Sequence, residues 1–401
     1  MNIKSFIEDF SVSAFAAGFT TVLVGVTSSI IIVFQAATAL GANSAEIASW
    51  IWALGLTLGL SSIVLSLYYK IPLIAAWSTP GAAYLAINGH QVTLNEAVGA
   101  FIISGLLITI AGFSSLFKKI ISHIPTTITS AMLAGILLPF CLKIIEMYSK
   151  NTSLIIAMTI SYFLSKVFVP RYSILTTLTI GVFFTLYQGG LNNIPISFEL
   201  AQPIFINPIF NLHSIWNIAI PLFIITMVSQ NLVGVSIIKS FGYPCPTNQA
   251  VGITGFFNTI FAPFGAFSTN LAAISAALCL SPDVHEDKSK RYIASVIAGF
   301  FYVLVGILGA TITSLLFLFP KEFVITLAGL ALLSTLINSF LDAFSVKGEQ
   351  EPAILTFLIT ISDIKIFGIN SIILGLLFGM VLYFILRKKA AIYKKIKLRP
   401  L

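Results

Sequence analysis

Long apolar runs, bounded by charges, proline or polar clusters, follow one another along the whole chain. Seven precede the polar stretch 189–213, at 12–39, 47–68, 72–88, 94–116, 126–147, 152–169 and 172–189. Seven more follow it, at 214–238, 248–261, 264–281, 291–319, 323–343, 352–363 and 367–386. Because a helix needs about 20 apolar residues to cross a bilayer, the pattern predicts an all-α polytopic membrane protein with about 14 spans.

Composition agrees with a lipid environment. Of the 401 residues, 57% are hydrophobic and 9% are charged, whereas an ordinary soluble domain has about 25% charged residues. So few charges cannot solvate a protein surface, which excludes a soluble globule. The net charge of +8 would suit a nucleic-acid binder, but the basic residues cluster only in the C-terminal tail. That tail is typical of a cytoplasmic flank, and we predict no nucleic-acid partner.

The distribution of Lys and Arg tests the topology, because cytoplasmic loops of membrane proteins carry an excess of both. If successive loops are assigned alternately to the two sides of the membrane, 18 of the 22 basic residues lie on the side of the two termini. The other side holds four, namely Lys143, Lys150, Lys321 and Lys365. One missing or extra span would mix the two groups. The separation therefore supports both the span count and two cytoplasmic termini.

The polar stretch in the middle of the chain divides the spans into two groups of seven. An odd number of spans makes the second half enter the membrane from the side opposite to the first, as in the inverted repeats of many secondary transporters. We predict a first repeat at 1–190, an external linker at 191–213, a second repeat at 214–390 and a basic cytoplasmic tail at 391–401.

Two apolar runs, the third of each half, contain residues that interrupt a helix. These residues are Pro80, Gly81, Pro263 and Gly265. Next to them lie hydroxyl and amide side chains that can cap a new helix, namely Ser78, Thr79, Ser268, Thr269 and Asn270. Ser or Thr before Pro is a strong signal for a helix start. We therefore predict broken third and tenth spans, each with a helix that begins inside the membrane.

A helix that begins inside the membrane leaves backbone N–H groups without partners, and these require protein, water or a ligand. Two such N-termini facing each other would combine free donors with the positive ends of two helix dipoles, so the preferred ligand is an anion. The alternative is that both breaks are kinks packed against neighbouring helices. The matched positions in the two halves favour a binding site.

All 14 acidic residues fall at span ends or in loops. A cation carrier, or a transporter with a buried carboxylate relay, would place one near the membrane centre. The sequence favours a small organic anion instead. Residues 285–288 could bind a metal, but a solvated loop or an ion pair with Arg291 is favoured. We predict no metal and no cofactor.

The tryptophans divide into two groups. Trp50, Trp52 and Trp216 stand at the starts of predicted spans, where aromatic belts form at the outer interface. Trp77 directly precedes the broken helix of the third span. Its ring could stack on a flat aromatic ligand or fill the core, and the sequence leaves both open.

Five strings resemble the benzoate/proton symporter family of bacteria, and the resemblance covers nearly the whole chain. They are Gly25-Val-Thr-Ser-Ser29, Gln35-Ala-Ala, Ala75-Ala-Trp-Ser-Thr-Pro-Gly-Ala-Ala83, Ser229-Gln-Asn-Leu232 and Asn270-Leu-Ala-Ala-Ile-Ser-Ala-Ala277. That family is similar in fold to nucleobase/ascorbate and sulfate/bicarbonate transporters. The resemblance implies a core domain and a gate domain, an elevator-like movement of the core, and a substrate held between spans three and ten.

The resemblance also implies a set of site residues. Span three would contribute Ser78, Thr79, Pro80 and Gly81, span ten Ser268, Thr269 and Asn270, and span eight Gln230 and Asn231. Nucleobase relatives carry acids near the span-eight and span-ten positions, whereas this chain has amides and hydroxyls. The difference suits a carboxylate substrate and argues against a proton relay like theirs.

Together these features predict an inner-membrane secondary transporter that imports benzoate or a similar aromatic monocarboxylate with a proton. An anion channel or exchanger on the same fold, a nucleobase transporter and a membrane enzyme are the alternatives. An enzyme would need a nucleophile, base or metal ligands converging at depth, and the sequence has no such set. The sequence leaves the oligomeric state open, including a homodimer.

Overall fold

The computed structural model describes residues 9–114, 124–192, 198–272, 274–362, 364, 366 and 371–397. Several predicted features lie partly or wholly outside these residues, namely the first repeat at 1–8, the fourth span at 115–116, the linker at 193–197, the last family string at Ala273, the basic residue Lys365, the last span at 367–370 and the tail at 398–401.

The described chain is mostly helical, with two short strands in the broken segments. Its first half contains α1 (Val12–Ala39), α2 (Ser44–Tyr69), β1 (Ala75–Trp77), α3 (Thr79–Asn88), α4 (Leu94–Phe113), α5 (Thr126–Met147), α6 (Thr152–Phe168) and α7 (Ser173–Tyr187). Its second half contains α8 (Leu212–Ser240), α9 (Thr247–Phe261), β2 (Thr269–Leu271), α10 (Ile274–Leu280), α11 (Tyr292–Ile307), α12 (Gly309–Leu318), α13 (Lys321–Ala343), α14 (Gln350–Ile361) and α15 (Ser371–Lys397).

Several helices begin where the local sequence provides a cap. The Asn43 side chain accepts bonds from the first turn of α2, and the Glu46 carboxylate accepts the Asn43 N–H in return. Thr93 and Glu96 form the same reciprocal arrangement at the start of α4. Such capping boxes satisfy donors that a membrane environment would leave unpaired, so these helix starts are fixed by short-range sequence.

Within the described residues, seven helices are long and apolar enough to cross a membrane, and five further apolar helices are 10–17 residues long. The total of fourteen spans stays a prediction. One predicted span is too long, because the apolar run 291–319 forms two helices that meet at Leu308, and the candidate span ends at Ile307. The Ala201 N–H donates to Ile307 O at 2.8 Å, which occupies the last carbonyl of α11 with a bond from another segment.

The helices pack as two bundles. The first bundle consists of α1–α4 and α8–α12 and contains both strands, and the second consists of α5–α7 and α13–α15. Across the boundary, α1 contacts α7 and α13, while α3 and the middle of α8 contact α5. The two strands therefore lie in the first bundle, close to the second.

Small residues allow the closest helix contacts in both bundles. Gly55 and Gly59 of α2 face the backbone of α11 at Gly299 and Gly306, where an added Cβ would clash. In the second bundle, Gly375 and Gly379 of α15 lie against two threonine side chains of α14. These are the small-residue contacts by which membrane helices approach closely.

Residues 198–211 form an extended strap over one end of the first bundle. The Ile204 N–H donates to Ser49 Oγ of α2 at 2.9 Å, and the Ile206 N–H donates to Pro263 O at 2.8 Å. The Ile209 N–H donates to Asn95 O of α4 at 2.9 Å. The part of the predicted linker at 198–211 thus donates backbone hydrogen bonds to three elements of the first bundle.

The interfacial position predicted for Trp50 was wrong. Trp50 is 0% exposed and packs its ring against Phe101 and Phe267, so it belongs to the core and not to an interfacial belt. It fits because Gly265, at φ +110°, places no Cβ against the indole. Of the two alternatives for the loop 285–288, the ion pair with Arg291 is not seen among the described residues. Arg291 donates to the carbonyls of His285 at 2.7 Å and Leu280 at 3.2 Å, and the second bond caps the end of α10.

Candidate functional site

The first broken segment folds as the sequence predicts. Strand β1 leads into α3, and Ser78 is the N-cap between them. Its Oγ accepts a hydrogen bond from the Gly81 N–H at 3.1 Å, while Pro80 lies in the first turn, where a missing N–H is harmless. The helix start predicted at Ser78 is confirmed, and Thr79 is the first helical residue.

The first turn of α3 retains fewer free donors than a bare helix end. Pro80 has no N–H, the Gly81 N–H donates to Ser78 Oγ, and the Ala82 N–H donates to Ser78 O at 2.8 Å. Of these first four helical positions, Thr79 alone keeps an N–H outside these bonds. One backbone donor and the positive end of the helix dipole therefore remain for a ligand.

The second broken segment is built differently, and the predicted capping by Ser268, Thr269 and Asn270 was wrong. Helix α10 begins only at Ile274, because Thr269–Leu271 form strand β2. The physical reason is that each strand supplies the backbone groups that the other needs inside a membrane. The strands run antiparallel, with Ala75 opposite Leu271, Ala76 opposite Asn270 and Trp77 opposite Thr269.

The ladder fixes which side chains share a face of this two-stranded ribbon. The Ser78 N–H donates to Ser268 O at 3.1 Å, and the Ala272 N–H donates to Ile74 O at 2.8 Å. Directly opposite residues share a face, and successive residues alternate. We call the side with Ala76, Asn270, Ser78 and Ser268 the front face, and the side with Trp77 and Thr269 the back face.

The front face is polar and partly accessible. Ala76 is partly exposed, whereas its two neighbours on β1 are buried. The Ser268 hydroxyl shares a hydrogen bond with the Thr226 hydroxyl of α8. Asn270 is 1% exposed, and its Nδ2 donates to Leu271 O at 2.9 Å. Its Oδ1 is buried and has no hydrogen-bond partner among the described residues.

The back face packs into the first bundle. The Trp77 Nε1–H donates to Ser29 Oγ at 2.8 Å, and the Trp77 ring lies 6.4 Å from the Tyr302 ring, edge to face. The Thr269 hydroxyl donates to Asn258 Oδ1 of α9 at 3.2 Å. Trp77 is 5% exposed, so these contacts favour the core-filling interpretation of its ring over ligand stacking.

Helix α8 approaches β2 through a π-helical stretch, Ile225–Asn231. Single π-turns are often found at functional sites, because they re-aim side chains. Asn231 Oδ1 accepts the Leu271 N–H at 2.9 Å and so holds the outer edge of β2. The neighbouring Gln230 is half-buried and makes no side-chain hydrogen bond to another described residue.

Sequence reasoning missed two residues that hold the ribbon. Ser62 of α2 accepts the Ala75 N–H at 2.9 Å, and Asn258 of α9 accepts the Thr269 hydroxyl. Both are fully buried polar residues within apolar helices. A polar side chain in such a place is costly unless it has a partner, and that cost was the only signal in the sequence.

The site is polar but uncharged. Strands β1 and β2 and the π-helical stretch contain no ionisable side chain, and the described residues contain no group of three potential metal ligands. With hydroxyls, amides and one helix N-terminus, the arrangement can bind and orient a small polar group. It offers no nucleophile or general base for bond cleavage.

Broken helices that meet inside a membrane bundle, with neutral polar groups between them, are typical of the binding sites of membrane transporters. The family described as benzoate membrane transport protein has a model that matches residues 8–385, and the chain belongs to this family. It is therefore a multi-pass membrane transport protein and not an enzyme, and the predicted resemblance is confirmed.

Two relatives match over almost their full lengths. The inner membrane protein YdcO of Escherichia coli (strain K12) is 40% identical over 370 residues, which cover 92% of this chain and 95% of the relative. The benzoate membrane transport protein of Acinetobacter baylyi is 37% identical over 389 residues, which cover 97% and 99%.

Solved structures show the same fold at low sequence identity. The structure of SLC26A9 has a TM-score of 0.64 at 13% identity, with 95% of this chain and 66% of that chain covered. The transmembrane domain of the cyanobacterial bicarbonate transporter BicA has a TM-score of 0.59 at 15% identity, with 93% and 97% covered. The predicted similarity to sulfate/bicarbonate transporters is confirmed at the level of fold.

Proposed function

We propose that this chain imports benzoate or a similar aromatic monocarboxylate across the bacterial inner membrane by proton symport. The names of the two relatives support the substrate and the membrane. The observation that carries the proposal is the front face of the ribbon, where hydroxyls and amides lie beside the N-terminus of α3. A site of this kind suits one small carboxyl group.

The proposed substrate site combines residues from three segments. Ser78, Thr79, Pro80 and Gly81 form the helix end, Ser268 and Asn270 the polar face, and Gln230 an adjustable amide beside it. Asn231, Thr269 and Trp77 stand behind this surface and hold the ribbon in place.

The proposed movement is elevator-like. The ribbon belongs to the first bundle, whose elements bond to it from α2, α8 and α9. The second bundle meets this region through α5, which contacts α3 and the π-helical stretch. A first bundle that slides past the second would carry the ribbon and its ligand as one body. In this proposal the two halves of the chain form a seven-plus-seven inverted repeat, and both termini lie in the cytoplasm.

Uptake of radiolabelled benzoate into proteoliposomes tests the proposal. An inward proton gradient should accelerate accumulation, and its collapse by a protonophore should abolish accumulation above equilibrium. A potassium diffusion potential set with valinomycin at fixed pH should have little effect, because one anion moving with one proton carries no net charge.

The rival functions give different results in the same vesicles. A channel or exchanger on this fold would pass benzoate without response to the proton gradient. A nucleobase transporter would accumulate uracil or xanthine in preference to benzoate. Steep voltage dependence with little response to pH would replace proton symport by an ion-coupled or uniport mechanism.

A further inference from the structure

The orientation of the Asn270 amide is determined by its neighbour. The nitrogen Nδ2 lies 2.9 Å from Leu271 O, and a carbonyl oxygen can accept only from a donor. Exchange of the amide oxygen and nitrogen would place two acceptors against each other. Asn270 Oδ1 therefore points away from Leu271 O, and it is the atom left buried without a partner among the described residues.

This free oxygen lies in the polar part of the proposed site. Asn270 is directly opposite Ala76, the accessible residue of β1, and shares the front face with it. A buried acceptor without a donor is costly, so the missing partner is a group that brings a hydrogen. The proposed substrate carries only one group that can do so, its carboxyl group.

The two protonation states of a carboxyl group differ in what they offer. A carboxylate anion has two acceptor oxygens and no hydrogen, so it would be repelled by Asn270 Oδ1. The neutral acid has an O–H that can donate to Oδ1 and a carbonyl oxygen that can face the positive end of α3. The front face therefore offers a hydrogen-bond acceptor to the O–H of the neutral acid, whereas the same acceptor would repel an oxygen of the anion.

Ionisable protein groups around β2 are few, and none lies on the ribbon itself. The elements packed against β2 are β1, α2, α9 and the two parts of α8 on either side of residue 231. Their ionisable side chains are Glu46, Tyr68, Tyr69 and Lys239, all in the first or last turn of a helix. None lies on the π-helical stretch or on the strands, where a proton would have to be held beside the substrate.

From this arrangement we infer that the site binds the neutral acid form of its substrate, so the coupled proton crosses the membrane on the substrate's own carboxyl group. The inference rests on the proposed function and specifies it. The substrate O–H bond forms with a proton from water on the outer side. It donates to Asn270 Oδ1 while bound and dissociates into the cytoplasm after release, and no protein group changes its charge.

Binding measured against pH tests the inference on the purified wild-type protein in nanodiscs. Above the pKa of the free acid, the acid fraction falls about tenfold per pH unit. The apparent Kd for total benzoate should rise by the same factor, whereas the Kd expressed per concentration of acid should stay constant. A Kd for total benzoate that does not change with pH would overturn the inference.

Two uncharged analogues separate a substrate proton from a protein proton. Benzamide has an N–H donor and a carbonyl acceptor, so it should compete with benzoate with an affinity independent of pH. Methyl benzoate has no donor and should compete poorly. If benzamide fails to compete, or if its affinity follows pH as that of benzoate does, then a protein group holds the proton and the inference is wrong.

The variant Asn270→Ala removes the acceptor and should weaken benzamide and benzoic acid alike by about three- to tenfold. Asn248→Ala is the matched control, because Asn248 of α9 also has a buried Oδ1 without a partner but lies away from the ribbon. An equal loss of affinity in both variants would show that Asn270 does not contact the substrate. The wild-type measurements decide the question even where Asn270→Ala does not fold.

Failure of the proposed function gives a separate result. If benzoate does not bind at any pH while uracil or an inorganic anion does, the substrate assignment is wrong. If the protein binds and transports benzoate but prefers its anionic form, the substrate assignment is correct and the inference about the acid form is wrong.

Discussion

The two broken segments have the same position in their halves and similar sequences, yet they are stabilised in different ways. In the first, Ser78 caps the helix that follows it, and Ser62 and Ser66 of the preceding helix accept the backbone N–H groups of Ala75 and Leu73. In the second, the supports come from elsewhere in the fold, namely Asn231 of α8 and Asn258 of α9. The first segment depends on its immediate sequence, and the second depends on tertiary packing.

This difference predicts that equivalent substitutions will cause more damage in the second segment. Gly265→Ala should have the largest effect, because φ +110° strains any residue with a Cβ and because that Cβ would clash with the Trp50 ring. Overpacking and the strained backbone together should cost about 2–5 kcal/mol. Thermal unfolding and the yield of monodisperse protein measure this loss.

Gly81→Ala in the first segment is the matched comparison. Its Cβ would meet Ser78 Oγ at 2.9 Å and Leu222 Cδ2 at 3.1 Å, but its backbone is ordinary helix and no ring lies against it, so the loss of stability should be smaller. Similar unfolding temperatures for Gly81→Ala and Gly265→Ala would show that the contact between Gly265 and Trp50 is not a special anchor.

Asn231→Leu should have the next largest effect. It leaves the buried Leu271 N–H without its acceptor, which should cost about 1–3 kcal/mol and lower benzoate uptake. The control is Ser229→Ala, since the Ser229 hydroxyl bonds only within its own helix, to Ile225 O. Wild-type uptake and stability in Asn231→Leu would mean that β2 is held by its pairing with β1 alone.

Ser78 allows capping and substrate binding to be separated. Ser78→Ala should cost about 1 kcal/mol of stability through loss of the N-cap. Ser78→Asn preserves a capping oxygen without adding a charge at this buried position, so it should unfold close to the wild type, but its larger side chain crowds the helix end and should lower benzoate uptake. Full uptake by Ser78→Asn would place the substrate away from this helix end.

The same contrast explains what could be predicted from the sequence. The break at Ser78 was predictable, because its signal is the local string Ser-Thr-Pro-Gly. The strand at Asn270 was not, because its partner Ala76 lies in the other half of the chain and a capping role looked equally suitable. The break at Leu308 was not predicted either, since the sequence there is one apolar run and the hydrogen bond to Ile307 O comes from the strap residue Ala201, far away in sequence.

The smallest expected effect concerns the loop that follows the second segment. Hydrogen bonds from the Ser289 hydroxyl and backbone N–H lower the pKa of Asp287. A lowered pKa in the folded state gives stability at neutral pH that is lost as the pH falls through that lowered value. Asp287→Asn should remove this part of the acid sensitivity, measured as unfolding temperature against pH. An unchanged pH profile would show that the exposed loop contributes nothing.

The ribbon also imposes an order on biosynthesis. Its strands are separated by about 190 residues, which a ribosome needs about 10–40 s to synthesise. Throughout that interval β1 is in the membrane without its partner, and the backbone N–H of Ser78 has no acceptor until Ser268 arrives. The first half is therefore incomplete during this time, and the unpaired backbone groups at β1 need hydrogen bonds from water or from the insertion machinery until β2 is made.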